Sequence, residues 1–416
     1  LEFRRVLFRS TPSKEEPRYW QGDIPWVSPK DMKRPVIRDS IDHVSKLAVE
    51  EASQTLLEPP AILMVVRGMI LAHSVPVAET AAPVTINQDI KALLPRDGVH
   101  PRYLAYYLRG LESVILSLVE ESGHGTKALR SEQWRSLPVA LPPLPTQRAI
   151  ANFLDEKTEA IDELVAKKER LIELLEEKRA ALINQAVTRG LDPDVPMKDS
   201  GVPWIGEIPE HWEVVQLRRT VANFVDYRGK PPPKTKSGVP LITAGAIKDG
   251  GIDHSLAPQY VSEDTYDEWM VRGFPEIGDV LLTTEAPLGE VARIDDTGVA
   301  LAQRIIMLKA NCRVSTADWL YFFFLSEFGQ AELWSRSSGS TAKGIKGERL
   351  RHVDVLLPPM DEQERITDHL SGSLDGFFAI VVGIQSQIER IEEYRQSVVT
   401  AAVTGKLPHD SGEGLS

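Results

Sequence analysis

The sequence predicts an α+β fold in which two pseudo-symmetric α/β globular modules are joined by two long helices that form an antiparallel coiled coil. Three observations predict it: an internal repeat, mixed strand and helix patterns within each copy, and a heptad pattern after each module. The chain has 416 residues, which is too long for one compact domain. Hydrophobic residues make up 42% of it, enough for an ordinary core in each module.

The repeat relates the first half of the chain to the second by one constant offset, which places Val139 opposite Val355. In the window 139–154, seven residues recur in the same register, where ordinary residue usage gives roughly one. Matches at Ser122, Lys127 and Leu191 extend the register without a gap, which a chance echo around a Leu-Pro-Pro turn does not explain. The seven residues are Val139, Leu141, Pro142, Pro143, Gln147, Ile150 and Leu154, which recur as Val355, Leu357, Pro358, Pro359, Gln363, Ile366 and Leu370.

The first part of each copy is predicted to mix strands and helices. Residues 61–66, 299–308 and 352–357 have the apolar or alternating pattern of strands. Residues 101–119 and 316–334 have helical patterns, and Thr316 is suited to cap the second of these helices.

The second part of each copy is predicted to be a long helix with one apolar seam. Seam residues recur at alternating steps of four and three, as in a coiled coil, and both seams carry an arginine at the equivalent place, Arg179 and Arg395. We expect the helices to bury these seams against each other; the alternative is that each helix packs on its own module. The apolar seam residues are Ile161, Val165, Ile172, Leu175 and Leu182 in the first helix, and Val381, Ile384, Ile388, Ile391 and Val398 in the second.

A search for catalytic motifs finds none. The sequence lacks a phosphate-binding loop, a dinucleotide-binding turn, a nucleophile elbow and metal-ligand spacing among its histidines. Its single cysteine, Cys312, excludes an internal disulfide. We therefore predict a binding protein without catalytic, cofactor-binding or metal-binding residues. No signal peptide or membrane-spanning run is visible, so we expect a cytoplasmic protein that does not contact membranes.

Local basic loops are the candidate binding surfaces, because the net charge of −12 excludes a chain that is basic throughout. Residues 336–351 hold five cations and one acid, and residues 122–135 hold three cations and one acid. Cations among glycines and hydroxyls suit contact with phosphate, although such loops are also common as solvated surface. The candidate DNA-binding residues are Ser338, Thr341, Lys343, Lys346 and Arg349, followed by Lys127 and Arg130.

Several motifs carry a family resemblance that extends over residues 11–407. They are YWQGDIPWVSPKDM at 19–32, Leu-Pro-Pro at 141–143, WIGEIPEHW at 204–212, and Leu-Pro-Pro at 357–359 followed by DEQERI. In this order, and within a duplicated layout, they resemble the specificity subunit of type I restriction–modification enzymes.

The resemblance implies two target recognition domains, each reading one half of a split DNA site. It implies helices that set the spacing of the half-sites and dock methyltransferase subunits. The partners are then double-stranded DNA, methyltransferase (modification) subunits and a restriction/translocase subunit. S-adenosylmethionine, ATP and Mg would belong to those partner subunits, and this chain would hold no cofactor.

The resemblance also suggests a division of the chain. In the first copy the segment that corresponds to residues 212–230 has only residues 1–20 to represent it, so the first recognition domain is expected to be N-terminally truncated. The expected segments are a non-native leader (1–10), a truncated recognition domain 1 (11–145), a central spacer helix (146–190), a linker (191–203), recognition domain 2 (204–360), a C-terminal spacer helix (361–404) and a disordered tail (405–416).

The predicted length of the helices agrees with the implied role of setting the distance between two half-sites. The helix from Ile161 to Ala186 would be about 38 Å long at about 1.5 Å per residue, close to the roughly 34–36 Å of one DNA turn. Two other hypotheses remain: a two-headed coiled-coil adaptor that binds only proteins, without DNA specificity, and an enzyme with an unfamiliar site. Salt-dependent binding to duplex DNA excludes the adaptor, and turnover by the chain alone would indicate the enzyme.

Overall fold

The computed structural model describes residues 11–52, 54–121, 125–227, 231–256, 259–339 and 343–406, and the backbone of residues 6–7. The chain divides into two compact units. Unit 1 contains residues 1–169 and 385–416, and unit 2 contains residues 170–384. The α-helices of the described residues are α1 (Lys46–Glu51), α2 (Pro101–Gly110), α3 (Glu112–Leu116), α4 (Ser131–Arg135), α5 (Leu144–Arg189), α6 (Leu217–Thr220), α7 (Glu263–Trp269), α8 (Ala317–Leu325), α9 (Glu327–Ser335), α10 (Gly347–Leu350) and α11 (Met360–Val403).

Unit 1 has a five-stranded sheet in the order β1-β8-β5-β6-β3, a three-stranded sheet in the order β4-β2-β7, and the hairpin β9-β10. Every residue of the central strand β5 is buried, as its continuous apolar sequence predicts. Leu104, Ala105 and Leu108 of α2 join the same core. The strands are β1 (Val6–Leu7), β2 (Ile24–Val27), β3 (Val36–Ile37), β4 (His43–Val44), β5 (Ile62–Val65), β6 (Val77–Thr80), β7 (Thr85–Ile86), β8 (Ile90–Leu93), β9 (Glu120–Glu121) and β10 (Lys127–Ala128).

In the described part of unit 2 there are two four-stranded sheets, in the orders β14-β23-β20-β21 and β15-β19-β16-β22, and three two-stranded sheets. The aromatic face of α8, including Trp319, Phe323 and Phe324, lies in its main core. The strands are β11 (Met197–Asp199), β12 (Glu207–Pro209), β13 (Glu213–Gln216), β14 (Val221–Asp226), β15 (Lys234–Thr235), β16 (Val239–Ile242), β17 (Ile247–Lys248), β18 (Gly251–Ile252), β19 (Tyr260–Val261), β20 (Val280–Thr284), β21 (Leu288–Arg293), β22 (Ala300–Leu301), β23 (Ile305–Ala310) and β24 (Asp354–Leu357).

The sequence repeat is also a repeat of strand pairing. In unit 1, β2 pairs antiparallel with β4 and parallel with β7, where Trp26 faces Thr85. In unit 2, β16 pairs antiparallel with β19 and parallel with β22, where Leu241 faces Ala300. A strand held between one antiparallel and one parallel neighbour thus occurs at equivalent places in both units.

Both units contain part of α5 and part of α11, and within unit 1 the two helices run antiparallel. In unit 1, Lys168 Nζ lies 2.6 Å from Gln387 Oε1, and Arg395 Nη1 lies 3.3 Å from Asp162 Oδ1. From Asp162 to Lys168 along α5, the contacting residue in α11 changes from Arg395 to Gln387, so the two helices run in opposite directions. In unit 2, the Lys178 ammonium lies 5.8 Å from the centre of the Phe377 ring. The predicted fold class is confirmed.

Several element boundaries differ from the expected ones. The helix expected over 316–334 is two helices, because Ser326 ends α8 and its hydroxyl accepts the Gly329 N–H at 3.2 Å as the N-cap of α9. At this turn a Cβ on Gly329 would lie 2.1 Å from the Phe323 carbonyl oxygen, so no larger residue fits. The helix over 101–119 likewise breaks at Leu111, and the strand over 299–308 is divided between β22 and β23. Thr316 caps α8 as predicted, accepting the Trp319 N–H.

Strands also occur in two of the segments outside the predicted modules and long helices. Val6 and Leu7, within the expected leader, form the edge strand β1 on β8, because an open strand edge offers N–H and C=O groups to any extended neighbour. In the expected linker, Met197–Asp199 pairs with Glu207–Pro209. Most of the expected tail, residues 407–416, lies outside the described residues.

Candidate nucleic-acid interface

The basic loop of unit 2 connects α9 to α10 and folds back on the end of β20. Ser338 and Gly344 exchange two backbone hydrogen bonds of 2.9 Å. Next to them, the Ile345 N–H donates to the Thr284 carbonyl at 3.0 Å. The loop is therefore closed at its neck and anchored to a buried strand.

The candidate cations of this loop lie at the surface. Lys343, Lys346 and Arg349 are all exposed, as is Ser338. Among the described residues, no carboxylate forms an ion pair with any of these three cations. Arg349 Nη1 donates to the Arg336 carbonyl at 3.3 Å, which leaves its charge without an acidic partner. The fifth candidate of this loop, Thr341, lies outside the described residues.

A partly buried network of hydrogen bonds and ion pairs holds the base of the loop. Glu332 in α9 is fully buried, and its Oε2 accepts from Arg336 Nε at 3.0 Å and from the Asp354 N–H at 3.1 Å. Arg336 Nη2 also donates to Asp354 Oδ2 at 2.6 Å. Because Arg336 is turned inward onto two carboxylates, it fixes the loop and does not add to the exposed charge.

The corresponding loop of unit 1 is the β9–β10 hairpin, in which Lys127 faces Glu121. The chain after this hairpin is held in the same way as the loop of unit 2. The Leu129 N–H donates to the Val66 carbonyl at 2.8 Å, just as the Ile345 N–H donates to the Thr284 carbonyl in unit 2. Both candidate cations here are paired: Lys127 Nζ with Glu121 Oε2 at 2.8 Å, and Arg130 Nε with Glu120 Oε2 at 2.8 Å. The hydrogen bond from Lys127 and its positive charge lower the pKa of the Glu121 carboxyl.

The acidic partners in this hairpin are the residues that sequence reasoning missed. A window that begins at Ser122 contains Glu132 as its acid, whereas the structure pairs the cations with Glu120 and Glu121. The available signal was the run Val-Glu-Glu-Ser-Gly before the loop, which is typical of a strand entering a turn. Glu332 was missed because nothing in an amphipathic helix pattern marks a buried carboxylate.

The seam residues are placed along one side of each helix. Ile161 and Ile384 are buried, and the other eight apolar seam residues are half-buried, whereas most residues between them are exposed. The two seam arginines differ in partner, since Arg395 pairs with Asp162 but Arg179 Nη2 donates to the Asp249 carbonyl at 3.1 Å.

Three further features concern metal ligands, the cysteine and membrane-spanning helices. In the part of the chain that the structure describes, no group of three or more His, Cys, Asp or Glu side chains could hold a metal ion. Cys312 is exposed and free. Of the helices that the structure describes, none is long and apolar enough to cross a membrane.

Comparison with known proteins gives the family. The family described as "Type I restriction modification DNA specificity domain" matches residues 7–174 and 209–390. The EcoR124I/EcoR124II specificity subunit of Escherichia coli is 33% identical over 147 residues, which cover 35% of this chain and 36% of that protein. The MjaIX specificity subunit of Methanocaldococcus jannaschii is 23% identical over 410 residues, which cover 96% of this chain and 90% of that one.

A solved structure supports the fold. A chain from a study of complex assembly and conformational transition of the type I R-M system aligns with a TM-score of 0.63 and 15% identity, covering 85% of this chain and 84% of that one. The duplicated layout, the two long helices and the match to the family over most of the chain agree. The chain therefore belongs to the family of type I restriction–modification specificity subunits, the non-catalytic subunits that recognise DNA.

Proposed function

We propose that each module reads one half of a split DNA site, and that the loop of unit 2 from Arg336 to Arg351 is a principal contact with the DNA backbone. The observation that carries this is the set of three exposed cations, Lys343, Lys346 and Arg349, which have no acidic partner among the described residues and lie on a loop anchored by a partly buried network. Exposed cations on a fixed loop can approach phosphates without a large ordering cost.

Salt titration of duplex binding tests this assignment. Each phosphate contact adds about 0.9 to the slope of log affinity against log salt, so Lys343→Ala with Lys346→Ala should reduce the slope by about 1.8 and weaken binding. The matched control removes two cations from exposed positions of α5, Lys157→Ala with Lys167→Ala, and should leave the slope unchanged. An unchanged slope in the loop variant removes the loop from the interface.

Ser338 and Thr341 of unit 2 remain candidate contacts of the same kind, whereas the candidates Lys127 and Arg130 of unit 1 are paired with Glu121 and Glu120. Ser338 is exposed beside the neck of the loop, where its hydroxyl can donate to phosphate. A protein-only adaptor predicts that no variant of these residues changes binding to DNA, since such a protein would not bind duplex DNA in a salt-dependent way.

We propose further that α5 and α11 set the spacing of the two half-sites and dock methyltransferase subunits. Within unit 2 these helices expose large apolar side chains that soluble proteins usually keep for partners: Leu171, Leu174, Phe378 and Ile380 are 45%, 44%, 74% and 51% exposed. Phe378→Asp with Ile380→Asp should abolish co-purification with a co-expressed methyltransferase subunit and leave salt-dependent DNA binding unchanged. Retained co-purification would move the docking surface elsewhere.

The remaining assignments follow from this role. S-adenosylmethionine would bind to the methyltransferase partner, and ATP and Mg to the restriction/translocase partner, so equilibrium dialysis of this chain with each should show no binding. Because the chain acts on cellular DNA in this proposal, its place is the cytoplasm.

A further inference from the structure

The equivalent loops of the two units differ in net charge and in how their cations are paired. Residues 336–351 hold five cations and one acid, a net charge of +4. The aligned residues 120–135 hold three cations and three acids, a net charge of zero. The two aligned loops therefore differ by four units of net charge, although both belong to one chain whose overall charge is negative.

Three positions of the loop can be compared one by one. In the register of the repeat, Lys343, Lys346 and Arg349 of unit 2 correspond to Lys127, Arg130 and Gln133 of unit 1. In unit 2 the three side chains are exposed without an acidic partner among the described residues. In unit 1 each of the three contacts a glutamate, Gln133 Nε2 lying 2.6 Å from Glu120 Oε1.

The two glutamates have no acidic counterpart in unit 2. Glu120 corresponds to Arg336 and Glu121 to Ser337. Arg336 is drawn inward by Glu332 and Asp354, whereas the positions equivalent to those acids hold Leu116 and Pro138 in unit 1. Glu120 therefore has no equivalent network to join, and its exposed carboxylate pairs with Arg130 and accepts from Gln133.

A carboxylate that lies 2.8 Å from Lys127 Nζ or Arg130 Nε occupies the same donor atoms that a phosphate oxygen would take. Exposed pairs of this kind contribute little to stability, so their main effect is on what the cations can bind. To contact phosphate, Lys127 and Arg130 would have to exchange one anionic partner for another, and two glutamates would remain near the phosphates.

Building on the proposed function, we infer that Glu120 and Glu121 neutralise the DNA-facing hairpin of unit 1, so that the loop of unit 2 supplies the phosphate contacts that anchor the protein on duplex DNA. The two halves of the DNA site are then held unequally. The backbone of the half-site at unit 2 is bound strongly, and the half-site at unit 1 depends on other contacts.

The test measures binding to a random-sequence duplex, over a range of salt concentrations, for full-chain variants in which two glutamates are replaced by uncharged glutamines. Glu120→Gln with Glu121→Gln should raise affinity at low salt and steepen the salt slope by about 1.8, because two cations become available. The control, Glu156→Gln with Glu159→Gln on the exposed side of α5, changes the net charge equally and should leave the slope unchanged. A slope for the hairpin variant equal to that of the control overturns the inference.

Two further variants make the result specific. Lys127→Ala with Arg130→Ala should leave the slope unchanged in the natural background but reverse the gain in the Glu120→Gln, Glu121→Gln background. The reciprocal change Ser337→Glu in unit 2 should reduce the slope by about 0.9. If Lys127→Ala with Arg130→Ala alone reduces the slope as much as the corresponding unit 2 variant does, the hairpin is not neutralised and the inference is wrong.

The same data separate this inference from the proposed function. A smaller salt slope for Lys343→Ala with Lys346→Ala supports the loop of unit 2 as a DNA contact, whatever result the hairpin variants give. If the double glutamine variant does not fold, as judged by its thermal unfolding, Glu121→Gln alone should steepen the slope by about 0.9, and no change would overturn the inference.

Discussion

Gln147 and Gln363 occupy equivalent positions of the two repeats and make the same three hydrogen bonds. Each amide oxygen accepts the N–H of the residue that caps the module's helix, and each amide nitrogen donates to two backbone carbonyls at 2.8 to 3.1 Å. Both side chains are buried. The partners are His100, Gly98 and Pro142 for Gln147, and Thr316, Val314 and Pro358 for Gln363.

This glutamine ties the start of each long helix to the module that precedes it. Gln363→Ala should lower the free energy of unfolding of unit 2 by about 2–4 kcal/mol, because it leaves buried backbone groups without partners. The measurement is denaturant unfolding followed by tryptophan fluorescence, since Trp212 and Trp319 pack 5.6 Å apart in this unit. The control is Glu364→Ala at the neighbouring exposed position, which should change the free energy of unfolding by less than about 0.5 kcal/mol. Equal effects of the two substitutions would contradict the structural role of Gln363.

The apolar seam should dominate the stability of the helix pair. Ile384 in α11 is 6% exposed, so Ile384→Asp places a charge in an apolar contact and should cost about 3 kcal/mol or more. Ile380 lies on the same helix but is 51% exposed, and Ile380→Asp should be nearly neutral. The measurement is the melting temperature of each variant. Similar melting temperatures for Ile384→Asp and Ile380→Asp would show that the two helices do not associate through the face that contains Ile384.

The ion pair between the two helices in unit 1 should matter little by comparison. The Asp162 and Arg395 side chains are 55% and 38% exposed, so solvent screens their attraction. Asp162→Asn should lower the free energy of unfolding by less than about 1 kcal/mol at low salt, with no difference left at about 1 M salt. A large loss that persists at high salt would show that the pair is a main determinant of helix association.

The buried carboxylate Glu332 should affect DNA binding through the position of the loop. Glu332→Ala removes the partner of Arg336 and of the Asp354 N–H, and should lower the unfolding free energy by about 2–3 kcal/mol. The loop cations remain, so affinity for duplex DNA should fall while the salt slope stays constant. Hydrogen exchange at Ser338 and Gly344 should become faster in this variant. A reduced slope would mean that Glu332 acts on the number of phosphate contacts instead.

The architecture could be predicted because its signals are periodic. The constant register of the repeat indicated two equivalent units, and the heptad steps indicated the helices, since both patterns need only the order of residue types. Breaks such as that at Ser326 were not predicted, because a serine within an apolar helical pattern is compatible with either a cap or a helix interior.

The candidate interface could be predicted only in part, because the availability of its cations depends on pairing across turns. Lys127 and Arg130 were selected as cations, but whether they are available depends on the register that sets Lys127 opposite Glu121. Gln147 and Gln363 were visible as identities in the repeat, yet their partners are backbone atoms of the preceding module. Local sequence patterns do not show which residues far apart in the chain lie within hydrogen-bonding distance. The role of Gln147 and Gln363 is therefore visible only in the structure.

In the proposed function, the two modules read two half-sites at one fixed spacing. The most direct measurement is co-expression with a methyltransferase subunit of this family, followed by mapping of methylated adenines across a genome. The account predicts one asymmetric target, made of two short specified segments separated by an unspecified spacer of constant length. A single uninterrupted motif, or two segments whose spacing varies, would contradict it.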